Sequence, residues 1–421
     1  MNQNTVTPPL TPGQEAGYKT FMQFYANPLE TVMLLKGYSG TGKSTLVRKL
    51  IEDLPKYAEM CRMVAPNWVE PEIILSATTN QAAEALAEAT GFIKDTATIH
   101  KVLSLRVAVT DYKKQTKELV AYGDAVINKL IFIDESSYID QSLLTKIFEQ
   151  TDRCKLVFIG DPAQLTPVKS HYMPAFNLNN ITIELTDLVR FKAGPMTDIV
   201  TNLRDTVLTN NWHKFKLCPG TLDHVDQESF DKAALKLFSD PAKYGRVKIL
   251  AYTNDRVMHY NKMLSDALLG TPDPQEGARM MVNEAVHNNA SRCTTNEEVT
   301  VETVREGSDY MTDGWFVTLR GKGSEYFMPK YRQDKAKAHR IAATEDDYQA
   351  MKIIVDSWID LRPAFACTVN KSQGSTYDIV LVDLSDICGR MHVANQMARA
   401  LYVGVSRARS RVIFTGDIRR K

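Results

Sequence analysis

The densest chemistry in the chain lies in one short segment. Gly37-Tyr38-Ser39-Gly40-Thr41-Gly42-Lys43-Ser44 fits the pattern G-x-x-x-x-G-K-[ST]. Glycines let backbone N–H groups approach an anion at dihedrals other residues rarely adopt, and the N-terminus of a following helix adds its dipole. Such a loop cradles a polyphosphate. Gly37, Ser39, Gly40, Thr41 and Gly42 would wrap it, Lys43 would reach the β and γ phosphates, and Ser44 would ligate Mg²⁺. The flanks have the order this chemistry needs. Val32 to Lys36 is an apolar run suited to a buried parallel strand, and Leu46, Val47, Leu50, Ile51 and Leu54 form a helical stripe that Pro55 is expected to end.

A phosphate loop of this kind calls for a carboxylate-bearing strand beside its own. Leu130-Ile131-Phe132-Ile133 followed by Asp134-Glu135 supplies one, the Walker B pattern. Asp134 is assigned to the metal and Glu135 to the attacking water, which it orients or deprotonates. A third apolar run, Leu156 to Ile159, enters Gly160-Asp161-Pro162-Ala163-Gln164-Leu165. An amide such as Gln164 can tell triphosphate from diphosphate through a hydrogen bond that exists only before hydrolysis.

The remaining composition sets bounds on these readings. At 421 residues the chain has room for two to four domains, and 44% hydrophobic with 24% charged residues is the balance of a core-forming globular protein. Lys and Arg total 51 against 50 for Asp and Glu, so no global basic field exists and any anion site must be local. The six cysteines are scattered without a C-x-x-C pair, which argues against zinc ribbons and redox motifs and for free thiols in a reducing compartment. The segment MNQNTVTPPLTPGQ lacks the basic and apolar regions of a secretory signal, and no apolar run approaches spanning length, so the expectation is a cytoplasmic protein without a membrane partner.

Further motifs follow in a fixed order: Thr368-Val369-Asn370-Lys371-Ser372-Gln373-Gly374-Ser375, then Tyr402-Val403-Gly404-Val405-Ser406-Arg407-Ala408-Arg409. Together with the three loops above, this order resembles the superfamily 1 helicases. Leu10-Thr11-Pro12-Gly13-Gln14, Ala77-Thr78-Thr79-Asn80-Gln81-Ala82-Ala83, Thr98-Ile99-His100 and Tyr252-Thr253-Asn254 also match, and within the superfamily the chain looks like the RecD branch, most of all the Dda helicases of T-even phages. The resemblance implies an α/β fold of two RecA-like parallel-sheet domains with ATP between them and single-stranded DNA crossing both. It implies that Gln14 reads the adenine edge, that the nucleotide set extends to Thr45 and Gly374, and that Arg190 and Arg407 are arginine fingers on the γ-phosphate. Fingers of this kind are commonly worth 10³ to 10⁵ in rate, about 4 to 7 kcal/mol of barrier.

For DNA, the resemblance points to Thr78, Thr79, Asn80, Thr98 and His100 in the first domain and to Thr253, Asn254, Thr368, Asn370 and Ser372 in the second. Two positions depart from the family. Its usual Ala-Pro-Thr reads Ala77-Thr78-Thr79, so a rigid proline is missing. Its usual histidine before Lys-Ser-Gln-Gly is Asn370, which can hydrogen-bond but stacks poorly.

The domain reading places a RecA-like domain 1A at 1–185, with a hairpin insertion 1B near 102–123. Domain 2A takes 186–274 and 364–421, split by an insertion 2B at 275–363. Short alternating runs at Val299, Val301 and Trp315 to Leu319, separated by Gly307, Gly314 and Gly321-Lys322-Gly323, read as a small antiparallel barrel, and the resemblance suggests an SH3-like fold. Lys330, Arg332, Lys335, Lys337 and Arg340 beside Tyr326, Phe327 and Tyr331 suit single-stranded DNA, and equally a solvated charged face. Tyr112 is read either as the tip of the duplex-splitting hairpin or as a packed hairpin tyrosine. Trp358 is read as keeping part of a contact that braces the hairpin in relatives.

The resulting expectation is an ATP- and Mg²⁺-dependent DNA helicase. It would translocate on single-stranded DNA, 5′-to-3′ by analogy, and act on duplex or forked DNA as a monomer, alongside a single-stranded-DNA-binding protein or replisome component. Two other classes stay open at this point. One is a P-loop kinase or generic ATPase that ignores nucleic acid, and the other a DNA-binding accessory factor that uses ATP as a conformational switch. Stimulation of turnover by nucleic acid separates them.

Overall fold

The computed structural model describes residues 9–418 apart from 93–95, 112–115, 168–169, 171, 188, 190–193, 244, 272, 285, 289–290, 294–296 and 346. The chain divides into two compact units, 1–216 with 393–406, and 217–392 with 407–421.

The first unit is built on a six-stranded, fully parallel sheet. In spatial order its strands are Ile181–Leu185, Val32–Gly37, Lys155–Gly160, Lys129–Asp134, Glu72–Ala77 and Thr96–Thr98. The runs are apolar throughout because both faces are covered. Met33 and Leu35 join one core with Phe21, Leu46, Leu50 and Phe132, while Val32 and Leu34 join the other with Ile131, Phe158, Leu143 and Ile147.

The sequence expected the carboxylate-bearing strand directly beside the loop strand. The structure corrects this: Lys155–Gly160 lies between them and pairs with both. Pro55 does not stop the helix after the phosphate loop either. That helix runs Lys43–Val64 with Pro55 inside it. An interior proline costs about 3 kcal/mol, and fully burying one leucine contributes about 1.5 to 3 kcal/mol. Ala58 and Cys61 are buried beyond Pro55 and Tyr57 packs against the same core, so continuing the stripe offsets part of the break.

The first helix, Pro12–Ala26, is tied down at both ends. Thr11 and Gln14 form a reciprocal capping box at its start. Beyond its last turn the Lys155 ammonium donates to the carbonyls of Phe24, Asn27 and Glu30 at 2.9, 2.8 and 2.7 Å. In the region read as insertion 1B, Leu105–Asp111 and Thr116–Ala121 pair as an antiparallel hairpin. Tyr112 lies outside the described residues.

The second unit holds a five-stranded parallel sheet in the order Leu222–Val225, Ala408–Thr415, Tyr377–Asp383, Val247–Ala251, Ala366–Thr368. Its strands come from either side of a long intervening segment. That segment forms an antiparallel sheet in the order Glu325–Pro329, Thr312–Leu319, Glu298–Asp309, Arg279–Val282, Leu361–Pro363, around Val299, Val301, Trp315, Val317, Tyr326 and Leu361.

Two helices, Arg332–Thr344 and Tyr348–Ser357, pack with Phe327 and Trp358 through Ala338, Ala342, Ala350 and Ile354. The basic run is therefore largely helical. Lys335 turns inward and donates to Trp358 O at 2.7 Å, whereas Lys330, Lys337 and Arg340 stay exposed. Trp358 is fully buried, with its indole N–H on Asp309 Oδ2 at 2.8 Å. Its ring packs against Phe327, centroids 4.8 Å apart.

Candidate nucleotide site

Strand register gathers the motifs of the first unit on one edge. Lys36 lies opposite Gly160, Gly37 opposite Leu185, and Ala77 opposite both Asp134 and Thr98. The phosphate loop, the Asp134-Glu135 pair, the Gly160 to Leu165 loop, Thr78 and Thr98 thus all leave the carboxyl ends of parallel strands, where open α/β sheets bind ligands.

The loop has a buried half and an open half. Gly37, Tyr38, Ser39 and Thr41 are buried, while Gly40 and Gly42 to Thr45 keep partial exposure. A Cβ at Gly37 would come within 2.7 Å of Thr41 Oγ1, so only glycine fits there. Gly42 sits at φ 79°, ψ 32° and caps the helix start without any side-chain acceptor, which leaves the first helical N–H groups pointing at the edge. Lys43 Nζ donates to Gly37 O at 2.6 Å and Tyr38 O at 3.2 Å. The Tyr38 ring lies 4.6 Å from the Arg204 guanidinium.

Gln14 is committed to this loop. Its Oε1 accepts from Thr11 N at 2.9 Å, and its Nε2 donates to Thr41 O at 3.3 Å and Gly42 O at 3.1 Å. The side chain expected to read an adenine edge is buried and braces the loop from behind.

Two carboxylates feel the Lys43 ammonium. Burial raises the Asp134 pKa above the usual carboxylate value, opposed by Lys43 and by the Glu135 N–H, which donates to Asp134 Oδ1 at 2.8 Å. Burial likewise raises Asp161, opposed by Lys43 and by hydrogen bonds from Tyr402, Ala163 and Ser39. Glu135 adopts a left-handed backbone, φ 52° and ψ 41°, a conformation that costs a non-glycine residue about 1 to 3 kcal/mol and clusters at functional sites.

Gln164 is buried in the same loop as Asp161, its N–H donating to Asp161 O at 3.2 Å. The described residues therefore bring together Lys43, Ser44, Asp134, Glu135 and Gln164 on one edge. Arg190 lies outside the described residues.

The residues expected to touch DNA have local duties that the structure makes plain. Thr79 and Thr98 are helix N-caps, accepting from Ala82 N and Lys101 N, while Thr78 Oγ1 reaches Glu135 O at 3.4 Å. Asn80 begins the helix capped by Thr79, and His100, half-buried, has its pKa lowered by burial.

In the second unit Thr253 caps Asn254–Leu268, and Asp386 accepts from Tyr252 N, Thr253 N and the Thr253 hydroxyl at 2.7, 2.8 and 2.9 Å. Thr368 Oγ1 accepts from Lys371 N. Ser372 is fully buried with its hydroxyl on Val369 O, and Asn370 opens the turn between them. Gly374 takes φ 79°, and Arg407 is buried, donating to Ser375 O at 3.2 Å.

Two family models match the chain: an AAA domain over residues 9–215 and a UvrD-like helicase C-terminal domain over residues 363–415. The second falls on the strands that close the second parallel sheet. The chain is thus similar to helicases of the RecD and Pif1 type. Among individual relatives, the RecD subunit of the RecBCD enzyme from Buchnera aphidicola subsp. Schizaphis graminum (strain Sg) is 29% identical over 159 residues, 34% of this chain. The matched stretch spans about a quarter of that relative, 24% of its length.

Two solved structures share the fold of this chain over nearly its whole length. The Pif1 helicases described as two coordinating copies in DNA unwinding at forked double-stranded DNA match at TM-score 0.52 and 16% identity, covering 96% of this chain and 92% of that one. Pif1 helicase from Candida albicans matches at 0.50 and 18%, covering 97% and 94%.

The motifs name the glycine loop and the acids of this chain but not the residues that hold the loops in place. Asp161 is fully buried and accepts from two backbone N–H groups and a tyrosine hydroxyl, which its place in the loop sequence does not announce. Arg399 donates to Pro162 O at 2.7 Å and Gln164 O at 2.6 Å. A signal existed in part. Gln396, Arg399 and Tyr402 recur at three-residue spacing, which puts them along one face of the helix Ala394–Ser406.

Proposed function

We propose that this chain is an ATP-dependent DNA helicase that moves along single-stranded DNA, 5′-to-3′, and unwinds duplex or forked DNA. The observation that carries the reading is the shared strand edge of the first unit, where Lys43, Asp134, Glu135 and Gln164 converge within a superfamily 1 fold. Lys43 draws negative charge to the open half of the loop, and the uncapped N-terminus of Lys43–Val64 adds backbone donors there. Glu135 is the base for water. Its left-handed backbone fixes the direction from which its carboxylate leaves the strand.

Mg²⁺ fits the donors available. Asp134 offers a carboxylate whose burial is unfavourable until a cation lies beside it, and Ser44 offers a hydroxyl one residue after Lys43. Among the described residues no group of three or more His, Cys, Asp or Glu forms a cage, which suits an ion that shares its coordination with substrate phosphates. Bound there, Mg²⁺ supplies charge neutralisation at the β and γ oxygens.

Arg190 and Arg407 are assigned to the developing phosphoryl charge by resemblance. Thr78, Thr79, Asn80, Thr98, His100, Thr253, Asn254, Thr368 and Asn370 are assigned to the DNA, with Gly374 and Thr45 near the nucleotide. The antiparallel segment of the second unit is read as an SH3-like 2B insertion, and a single-stranded-DNA-binding protein is the partner in view.

The test is strand displacement on duplexes with one 5′ or one 3′ single-stranded tail, with ATP turnover measured alongside on poly-dT. Turnover rising with poly-dT and displacement only from the 5′ tail are expected, both lost in Lys43→Ala. Turnover indifferent to DNA, or unwinding that survives Lys43→Ala, refutes the reading. Arg407→Ala is expected to lower turnover at least 10³-fold while ADP still binds.

A further inference from the structure

One side chain of the helix Ala394–Ser406 reaches the phosphate loop itself. Tyr402 is fully buried, and its hydroxyl donates to Asp161 Oδ2 at 2.6 Å while accepting from Ser39 N at 3.0 Å. Ser39 N also donates to the same Asp161 oxygen at 2.9 Å, and Asp161 Oδ1 takes Ala163 N at 2.8 Å. Three atoms from three separate segments thus close a small ring: the third residue of the phosphate loop, the aspartate of the Gln164 loop, and a helix some 240 residues further on.

The same helix grips the Gln164 loop twice more. Arg399 holds the Pro162 and Gln164 carbonyls, and Gln396 Nε2 lies 3.3 Å from Thr166 Oγ1. At its N-terminal end Asn395 Nδ2 donates to Val207 O, fixing the helix against Pro195–Thr209. These polar grips fall on the Gln164 loop and on the helix Pro195–Thr209.

The chemistry decides what this ring can do. A phosphate loop binds through backbone N–H groups, and here the Ser39 N–H is already taken by a carboxylate and a phenol, whereas the donors at Gly42 and beyond face the open half. The β-phosphate would use the open half. The terminal phosphate would lie toward Gln164, on the loop that Tyr402 and Arg399 hold. The ring sits on the side that senses the third phosphate.

We propose that Tyr402 is a positioning residue that locks the phosphate loop to the Gln164 loop through Asp161. Both loops and the helix Ala394–Ser406 then respond as one body to the terminal phosphate. The proposal rests on the helicase reading and names a regulator of that site. In sequence the helix ends at Ser406, immediately before Arg407.

The experiment compares wild type, Tyr402→Phe, Asp161→Asn and the double variant. It measures ADP affinity by titration with a fluorescent ADP, steady-state kcat and KM for ATP with and without poly-dT, and the thermal midpoint. Tyr402→Phe removes one oxygen and keeps the packed ring. The proposal expects a tenfold or greater fall in kcat, ADP affinity within threefold of wild type, and a thermal midpoint within 4 °C. Asp161→Asn is expected to act in the same direction, and the double variant to be no more than twofold slower than the slower single variant, because both cut one connection.

A kcat within twofold of wild type for Tyr402→Phe overturns the proposal. So does a loss of ADP affinity equal to the loss in kcat, which is the pattern of general loosening, and so do losses that multiply in the double variant. Wild-type turnover that poly-dT does not stimulate refutes the helicase reading instead, and the comparison of kcat without DNA still judges Tyr402.

Discussion

Replacing Gln14 by alanine separates two roles that the same residue could have. If the side chain reads a base, the variant loses adenine selectivity and little else. If it braces the loop, as its hydrogen bonds indicate, the variant loses stability and all nucleotides alike. Three side-chain hydrogen bonds set the magnitude: Oε1 accepting from Thr11 N, and Nε2 donating to Thr41 O and Gly42 O, each worth about 0.5 to 1.5 kcal/mol.

A total near 3 kcal/mol follows. In a unit of this size each kcal/mol moves the midpoint by about 2 to 4 °C, so a fall of about 9 °C is expected for the first unit. Differential scanning calorimetry reads that shift, and titration with fluorescent ATP and GTP reads affinity, with both nucleotides weakening together by about tenfold. Gly42→Ala approaches the same contact from the other side. Its Cβ would run into Gln14 Nε2 at a left-handed backbone, so it should mimic the loss. An unshifted midpoint with weakened ATP and unchanged GTP binding would refute the bracing argument.

Three more outcomes follow from single contacts. Lys155 has its pKa lowered by burial to about 8 from an ordinary 10.5. The unfolded chain therefore binds more protons between those values, and stability should rise as pH climbs from 8 toward 10. Lys155→Met should lack that rise in urea denaturation, and a parallel pH slope in both proteins would contradict it. Asp386→Ala leaves Tyr252 N, Thr253 N and the Thr253 hydroxyl without their acceptor. Fluorescence anisotropy should show single-stranded DNA binding weakened by about tenfold with DNA-free ATP turnover retained, and unchanged affinity would dissociate that loop from DNA. Trp358→Phe cuts the indole bond to Asp309 and leaves a small void, at about 1 to 3 kcal/mol in chemical denaturation; a change under about 0.5 kcal/mol would show the contact to be dispensable.

Local chemistry was legible in the sequence where one short segment carries the whole reason. Gly37 to Ser44 states its own geometry, and the apolar runs before Asp134 and Gly160 announce strands buried on both faces. Strand order was not legible. Nothing in Leu130 to Ile133 says that Lys155–Gly160 will lie between it and the loop strand, because pairing order is decided by how the crossover helices cover the sheet. Pro55 misled because local propensity was weighed without the burial of Ala58 and Cys61 beyond it. The helices Arg332–Thr344 and Tyr348–Ser357 were missed because a basic run hides a stripe of alanines, Ala338 and Ala342, that packs with Trp358. Asp161 meets Ser39 N, and Arg399 the Pro162 and Gln164 carbonyls, across long stretches of chain, and the three-residue spacing of Gln396, Arg399 and Tyr402 marks a helix face without naming its target.

The conformation of Glu135 shows how local contacts bear on the proposed reaction. A glutamate does not choose a left-handed backbone on its own. Here Ser136 is fully buried with its hydroxyl on Ile133 O at 2.7 Å, the Glu135 carbonyl accepts from Tyr138 N at 3.1 Å, and the Asp134 carboxylate takes the Glu135 N–H. These bonds over-determine the turn and offset a strain of about 1 to 3 kcal/mol. Both acids are thereby fixed by one turn: the bond that orients Asp134 is the bond that bends the chain at Glu135. In the roles proposed for them, Asp134 toward a metal and Glu135 toward water, the two acids share one backbone kink and cannot drift independently, so their spacing would be set by the turn. The sequence Asp-Glu at the end of a strand names the two groups, and the buried serine after them holds their geometry.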